Sequence, residues 1–288
     1  YLVKAQGIPW FRERLKERLG WMPQAPIENY DPGPRDLHFG WNQQPSNGLW
    51  TYGAFIETGR VTDASSNGKL KSMFRSVMNK YPVELMITPN QDALFTNIHE
   101  AMKNDFENHL KSFGWGQRNG KAYSKLRTLS GACVGRDTCR LTYTDSERFV
   151  PKLIDELEKL GWGDLAESIG ITGCERQCFR PSTKTVDFVG SGMDRYQMRL
   201  MGSEDARAQG RPVISSDDQM YLRMIPPESV VTVLDILFKH YKANAQSGET
   251  LGAFNRRVGM DYLIQMYKDN PSTAELMAKT YPTDCLID

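Results

Sequence analysis

Four of the five cysteines fall in two close pairs, Cys133 and Cys139 with five residues between them, then Cys174 and Cys178 with three. The fifth, Cys285, stands alone near the C-terminus. The count is odd, and the first segment lacks the long apolar core and small-residue cleavage site of a signal peptide. Both points argue against a disulfide framework and for metal ligation. Structural zinc sites usually space their paired cysteines by two to four residues, so the first gap is wide for zinc. A [4Fe–4S] cluster is a larger object that needs four thiolates approaching from different directions, and unequal gaps suit it. Gly131 and Ala132 ahead of the first pair, and Gly173 ahead of the second, let the backbone come close. They also set amide N–H groups near sulfur, where hydrogen bonds tune reduction potential. Arg136, Arg140, Arg176, Arg180 and Lys184 crowd the same two stretches. In a chain of formal net charge +1 they mark a local anion site.

The elements that must position these loops follow from periodicity. A leader helix is expected over 9–19, with Phe11, Leu15 and Leu19 on one face and Gly20 as its stop. Residues 22–48 hold five prolines and read as loop or linker. LWTYGAFIETGRV (49–61) reads as a strand. Leu70, Met73, Phe74, Val77, Met78 and Tyr81 recur at helical spacing. VELMIT (83–88) and ALFTNI (93–98) read as strands around a Pro89–Asp92 turn, and a helix follows over 102–113. Thr144-Asp145-Ser146-Glu147 has the capping-box pattern ahead of a helix that stops at Gly161. Strands are expected at 168–172, 185–190, 196–201 and 219–225, and helices at 227–243 and 250–268. The order gives an α+β fold: a leader and linker over 1–39, a sandwich-like domain over 40–115, and a cluster-bearing domain over 116–288.

Composition bounds the function. The 288 residues, 40% hydrophobic, suffice for one large or two medium folded domains. With 36 basic and 35 acidic residues, no global field recruits nucleic acid or a membrane surface. No run of 18 apolar residues occurs, and the cytoplasm is the expected compartment. His38, His99, His109 and His240 show no ligand spacing and read as ordinary surface or core histidines.

Cys-x5-Cys followed after 34 residues by Thr-Gly-Cys-x3-Cys resembles the siroheme and [4Fe–4S] binding signature of the sulfite and nitrite reductase family, most of all its assimilatory type. WTYGAFIETGRV, ITPNQDALFTNI, TDSERFVPKLIDEL and VDFVGSGMDRYQMRLMG are similar, in order, to stretches of that family's C-terminal half, and the likeness extends over nearly the whole chain. The resemblance implies that Cys133, Cys139, Cys174 and Cys178 ligate the cubane and that Cys178 also bridges to the siroheme iron. It implies cofactor contacts from Asn90 and Gln91, from Thr172 and Gly173 of the signature, and from the loop cations Arg136, Arg140, Arg176, Arg180 and Lys184.

The activity it implies is reduction of sulfite to sulfide, with nitrite to ammonia as the alternative. Either takes six electrons, delivered by ferredoxin or a flavoprotein. A [4Fe–4S] electron-transfer module without siroheme is the rival from another class, and a four-cysteine zinc protein is a third. Two departures stand out. Glu175-Arg176-Gln177 replaces the small neutral trio usual between the last two cysteines, and the N-terminal half that carries most of the family's substrate-binding cations is not found. A chain starting at Tyr1 without Met therefore reads first as a piece of a longer reductase, with a subunit whose partner supplies that half, or a degenerate haem site, as the alternatives.

Overall fold

The computed structural model describes residues 2–22, 24–25, 36–64, 67–180 and 182–283. Cys285 and much of the proline-rich linker lie outside them. The chain divides into two units, 1–34 and 35–288. In the first, helix α1 (Leu2–Leu19) begins earlier than the sequence predicts, because the chain resumes helical geometry on both sides of Gly7 (φ 81). Pro9 then sits in the first turn of the second segment, where its missing N–H costs nothing. No residue of α1 is buried, so its apolar face is not part of a core.

The second unit opens with β1 (Gly40–Gln43), β2 (Trp50–Ala54), α2 (Leu70–Lys80), β3 (Glu84–Ile87), β4 (Ala93–Ile98) and α3 (Lys103–Ser112). The four strands form an antiparallel sheet in the order β1-β2-β4-β3. Leu70, Met73 and Val77 on α2, and Phe106 and Leu110 on α3, are buried in one cluster with Tyr52, Phe95 and Ile98. Phe106 is its centre, meeting Tyr81, Phe95 and Tyr52 edge to face at centroid distances of 5.1, 5.5 and 5.8 Å.

The chain continues through the short hairpin β5 (Gln117–Arg118) and β6 (Lys121–Ala122), then α4 (Lys125–Leu129), β7 (Gly131–Ala132), α5 (Phe149–Lys159), β8 (Ile169–Thr172), β9 (Val186–Gly192), β10 (Arg195–Leu200) and β11 (Arg211–Pro212). Helices α6 (Pro227–Asn244), α7 (Leu251–Val258), α8 (Met260–Lys268) and α9 (Ala274–Met277) complete it. The second large sheet runs β11-β10-β9-β8-β7, with β7, β8 and β9 mutually parallel and β10 and β11 antiparallel to their neighbours. Side chains alternate across its pleat. Ile169, Ile171, Phe188, Tyr196 and Met198 share a core with residues of α5, α6 and α8. The alternate positions, Gly170, Thr172, Asp187 and Arg199, carry no large apolar group. The protein is α+β, and no helix among the described residues is long and apolar enough to cross a membrane.

Several elements differ from the sequence expectation. The strand predicted over 49–61 ends at Ala54, and residues 57–59 form a 3-10 turn. There the Ile56 amide donates to the Asp92 carboxylate at 2.9 Å and Glu57 turns inward to Arg127, so tertiary partners replace the ladder. β1 lies in the stretch predicted as loop, because its polar residues hide a strand that exists by pairing with β2. The strand predicted over 219–225 is absent; Leu222 has φ 48, and only isolated bridges at Met220 and Ile225 form. Gly259 (φ 86) splits the helix predicted over 250–268. The capping box does not form: α5 starts at Phe149, and the Glu147 carboxylate is held instead by Arg60 at 2.6 Å. α4 also goes unseen in the sequence, inside a basic, polar run.

A buried charge network ties the first sheet to the second. Arg127 on α4, 2% exposed, is paired with Glu57 and with Asp155 and Glu158 of α5 at 2.7 and 2.8 Å. Arg118 bridges Glu57 and Asp155 at 3.0 and 2.8 Å.

Candidate metal and cofactor centre

β7 and β8 lie side by side and parallel, Ala132 opposite Ile171, and each runs at its carboxyl end into a cysteine loop. Ligand sites in open sheets gather outside such carboxyl ends. Cys133 extends the ladder by one bond, its N–H donating to Ile171 O at 3.0 Å. The Gly173 N–H donates to Cys133 Sγ at 3.2 Å, while Gly173 O accepts from the amides of Tyr143 and Thr144 at 2.8 and 3.3 Å. The two loops thus hold each other through backbone groups. Cys174 is buried, Cys133 and Cys139 are half-buried and Cys178 is exposed, and all four are free thiols. The Cys133 thiol donates to Ser146 Oγ at 3.5 Å.

Partial burial raises the Cys178 pKa first; the fields of Cys133, Cys174 and Cys139 raise it further, and Arg176 opposes them. Cys178 therefore lies within electrostatic reach of the other three cysteines. Among the described residues no three His, Cys, Asp or Glu side chains converge as a single metal ion requires. Four free thiols on two loops that hold each other are a donor set of the kind a cluster takes, its ligands standing off the corners of a cube.

The loop cations divide into three kinds. Arg140 and Arg176 are exposed and make no hydrogen bond or ion pair among the described residues. Arg136 is tied to Asp194, which raises its pKa, and donates to Tyr143 O at 2.7 Å. Arg180 and Lys184 turn inward and share Glu204 Oε1 at 2.8 and 2.9 Å. Arg180 also reaches Glu204 O at 3.0 Å and Asn90 Oδ1 at 3.4 Å. Gln91, at φ 71, donates its side-chain amide to Ala132 O at 2.9 Å, so the turn between β3 and β4 braces the backbone just ahead of Cys133. The Thr172 hydroxyl is buried with no hydrogen-bond partner among the described residues. Glu204 and Asp194 escaped the sequence reading, each an ordinary loop residue by type and spacing, and Ser146 was read only as part of a capping box; the fold brings all three to the cysteine loops.

Two consequences are measurable. A Cβ on Gly190 of β9 would fall inside van der Waals contact of Gly173 O. Gly190→Ala is therefore expected to cost roughly 1–3 kcal/mol in urea unfolding by forcing β9 from the second cysteine loop. Asp92, beside Lys184 and 4% exposed, has its carboxyl pushed up to about 7 by burial, against the Ile56 amide and Lys184. A carboxyl raised in the fold stabilises it below the unfolded pKa, and that contribution is lost as pH rises through the folded one. From about pH 4 to 7 the protein is expected to lose roughly 3 kcal/mol that Asp92→Asn does not lose, read from unfolding midpoints of both proteins across that range.

No family model matches the chain. Sulfite reductase [NADPH] hemoprotein beta-components are similar to it: that of Paenibacillus sp. (strain JDR-2) at 30% identity over 90% of the chain, and that of Staphylococcus saprophyticus at 31% over 90%. The sulfite reductase [ferredoxin] of Synechococcus elongatus is 31% identical over 92% of the chain. The chain spans less than half the length of these curated relatives, 44, 44 and 41%. Among solved structures, Mycobacterium tuberculosis NirA superimposes with a TM-score of 0.72 at 22% identity, over 91% of this chain and 48% of that one. Dissimilatory sulfite reductase I superimposes with a TM-score of 0.53 at 9% identity. These two share the fold. Over nine-tenths of its residues, then, the chain is a relative of proteins named sulfite reductase, of both the NADPH and the ferredoxin kind.

Proposed function

We propose that the chain is one half of a siroheme-dependent sulfite reductase, in which Cys133, Cys139, Cys174 and Cys178 hold a [4Fe–4S] cluster and Cys178 joins it to the siroheme iron. The observation that carries this is the placement of four free thiols on two loops at the carboxyl ends of adjacent parallel strands, with Gly173 N–H already bonded to one sulfur. When bound, the cluster stores single electrons and the siroheme supplies the iron at which a six-electron reduction occurs. Cys178, the exposed member, is the thiol placed to face a second group.

The chain's other residues orient and hold charge. Arg140 and Arg176, unpaired beside the thiols, are the cations available to siroheme carboxylates or to the oxyanion. Arg136 stands ready in the same way once Asp194 releases it. Arg180 and Lys184 act through Glu204, fixing the loop between Cys178 and β9. Gln91 and Asn90 brace the two loops from the first sheet, and the Thr172 hydroxyl is a buried donor available to the cluster.

The division into 40–115 and 116–288 follows the two hydrophobic clusters. The remaining half of the active unit comes from residues outside this chain, in keeping with the share of its relatives that it spans. Ferredoxin or a flavoprotein is the proposed donor; the names of those relatives carry ferredoxin and NADPH. A reducing cytoplasm suits four free thiols. The test is oxidation of reduced methyl viologen by the full-length protein with sulfite and, separately, nitrite. Sulfide formed at six electrons per sulfite is expected. A protein that holds a cluster but turns over neither oxyanion would be an electron-transfer module instead.

A further inference from the structure

Beyond the cysteine loops, an open pocket is lined by Arg199 of β10, Arg207, Gly210, Arg211 of β11, Arg256 of α7 and Met201. Among the described residues no acidic side chain lines it. We propose that this pocket is a second anion site, one that takes a phosphoryl group or an oxyanion of like charge, either free or as the end of a larger molecule. The proposal does not rest on the redox reading.

Four arginines line it, with Asp205 as a nearby acid. Arg207 pairs with Asp205 at 3.3 Å. Arg256 lies in the field of the same carboxylate, and its head is fixed by donation to a backbone carbonyl, Met201 O at 2.7 Å. The Arg211 side chain is exposed and makes no hydrogen bond or ion pair among the described residues. Arg199 donates to Gly210 O at 3.1 Å, and its Nε is buried with no hydrogen-bond partner among the described residues. The residue opposite Arg199 in the ladder is Asp187, which could have served as its counter-ion. Burial raises the Asp187 carboxyl against the fields of Lys184 and Arg199, and Asp187 Oδ2 makes no hydrogen bond among the described residues, so this neighbour does not satisfy the Arg199 Nε–H. A partly desolvated guanidinium with an unused N–H and no carboxylate in hand is a donor awaiting an acceptor.

The geometry also favours a compact dianion over a single carboxylate. Guanidinium forks pair with phosphoryl oxygens two at a time, and several forks on one cavity satisfy a multiply charged group that one Arg would not. The cavity, about 570 Å³, exceeds a bare phosphate, so a larger phosphorylated molecule also fits. The pocket's loop touches the cysteine domain directly: Gly210 N–H donates to Ser182 O at 2.6 Å, and Glu204 on the same loop holds Arg180 and Lys184. Occupancy is thereby linked to the loop that carries Cys178.

The test is calorimetric titration of the full-length protein at low salt with inorganic phosphate and, in parallel, glucose 6-phosphate. The wild type and the variants Arg211→Gln and Lys159→Gln would be compared. Saturable binding in the millimolar range or tighter is expected, weakened about tenfold in Arg211→Gln and unchanged in Lys159→Gln, which removes an exposed cation of α5 paired with Glu156. Tighter binding of the sugar phosphate would identify a larger ligand; equal or weaker binding would identify the free anion. No saturation by about 10 mM of either probe, or binding that survives Arg211→Gln, would overturn the proposal. Because Arg211 is exposed, its variant is expected to keep the wild-type unfolding midpoint, which excludes misfolding as the cause of lost binding.

Discussion

Arg127→Met is expected to destabilise the protein by about 3 kcal/mol in urea unfolding, the largest effect of any single charge removed from it. The side chain is 2% exposed and touches three carboxylates, of which Glu57 is 4% exposed. Deleting the cation leaves Glu57 buried with Arg118 at 3.0 Å and the Asn67 amide at 2.5 Å as its remaining partners, which holds the cost to the lower end of the range for a broken buried pair. Asp155 keeps Arg118, and Glu158 keeps the Ser124 hydroxyl at 2.6 Å, so neither acid is stranded. The double variant Glu57→Gln/Arg127→Met should recover most of the loss, because the uncompensated charge is gone. If the single and double variants unfold at the same denaturant concentration, the loss comes from packing around Arg127 and not from its charge. The network also joins the turn after β2 to α4 and α5, so the same variant should loosen the first sheet from the cysteine domain, seen as faster amide exchange across 55–60.

Cys178→Ser is expected to strip both cofactors in one step. The residue is exposed, so the fold should survive, with an unfolding midpoint close to that of the apo wild type. In the proposed arrangement its thiolate serves the cluster and the siroheme together. Iron, acid-labile sulfide and haem absorbance should therefore all fall to near background, and sulfite turnover with them. A variant that loses iron and sulfide yet keeps haem would detach Cys178 from the bridge. A variant that keeps full sulfite reduction would remove it from the centre altogether.

The fold was legible where periodicity coincided with packing. The α2 pattern and ALFTNI gave a helix and a strand because the same residues that repeat also fill the first core. Legibility failed where distant partners decide the backbone. The run 219–225 alternates like a strand, but Leu222 takes a left-handed conformation and Ser191 Oγ caps Arg223 O at 2.5 Å, so no ladder continues. Glu147 has the spacing of a capping residue and is taken by Arg60 from 87 residues away. The candidate centre divides in the same way. Cysteine spacing announces ligands because the chemistry constrains it locally. The destinies of the five cations do not show, since Glu204 and Asp194, which claim three of them, sit in loops that only the folded sheet brings near. Gln91 was legible as a residue of interest and not as a brace, because its acceptor, Ala132 O, belongs to another sheet.

The central claim is that these four cysteines hold a cluster joined to siroheme. Its most direct test is the metal and sulfide content of the full-length protein purified without oxygen, set beside its visible spectrum. About five irons and about four acid-labile sulfides per chain, with siroheme absorption, are predicted: four irons from the cluster and one from the haem. Stoichiometric zinc in place of iron, or iron and sulfide with no haem bands after expression with siroheme supplied, would contradict it.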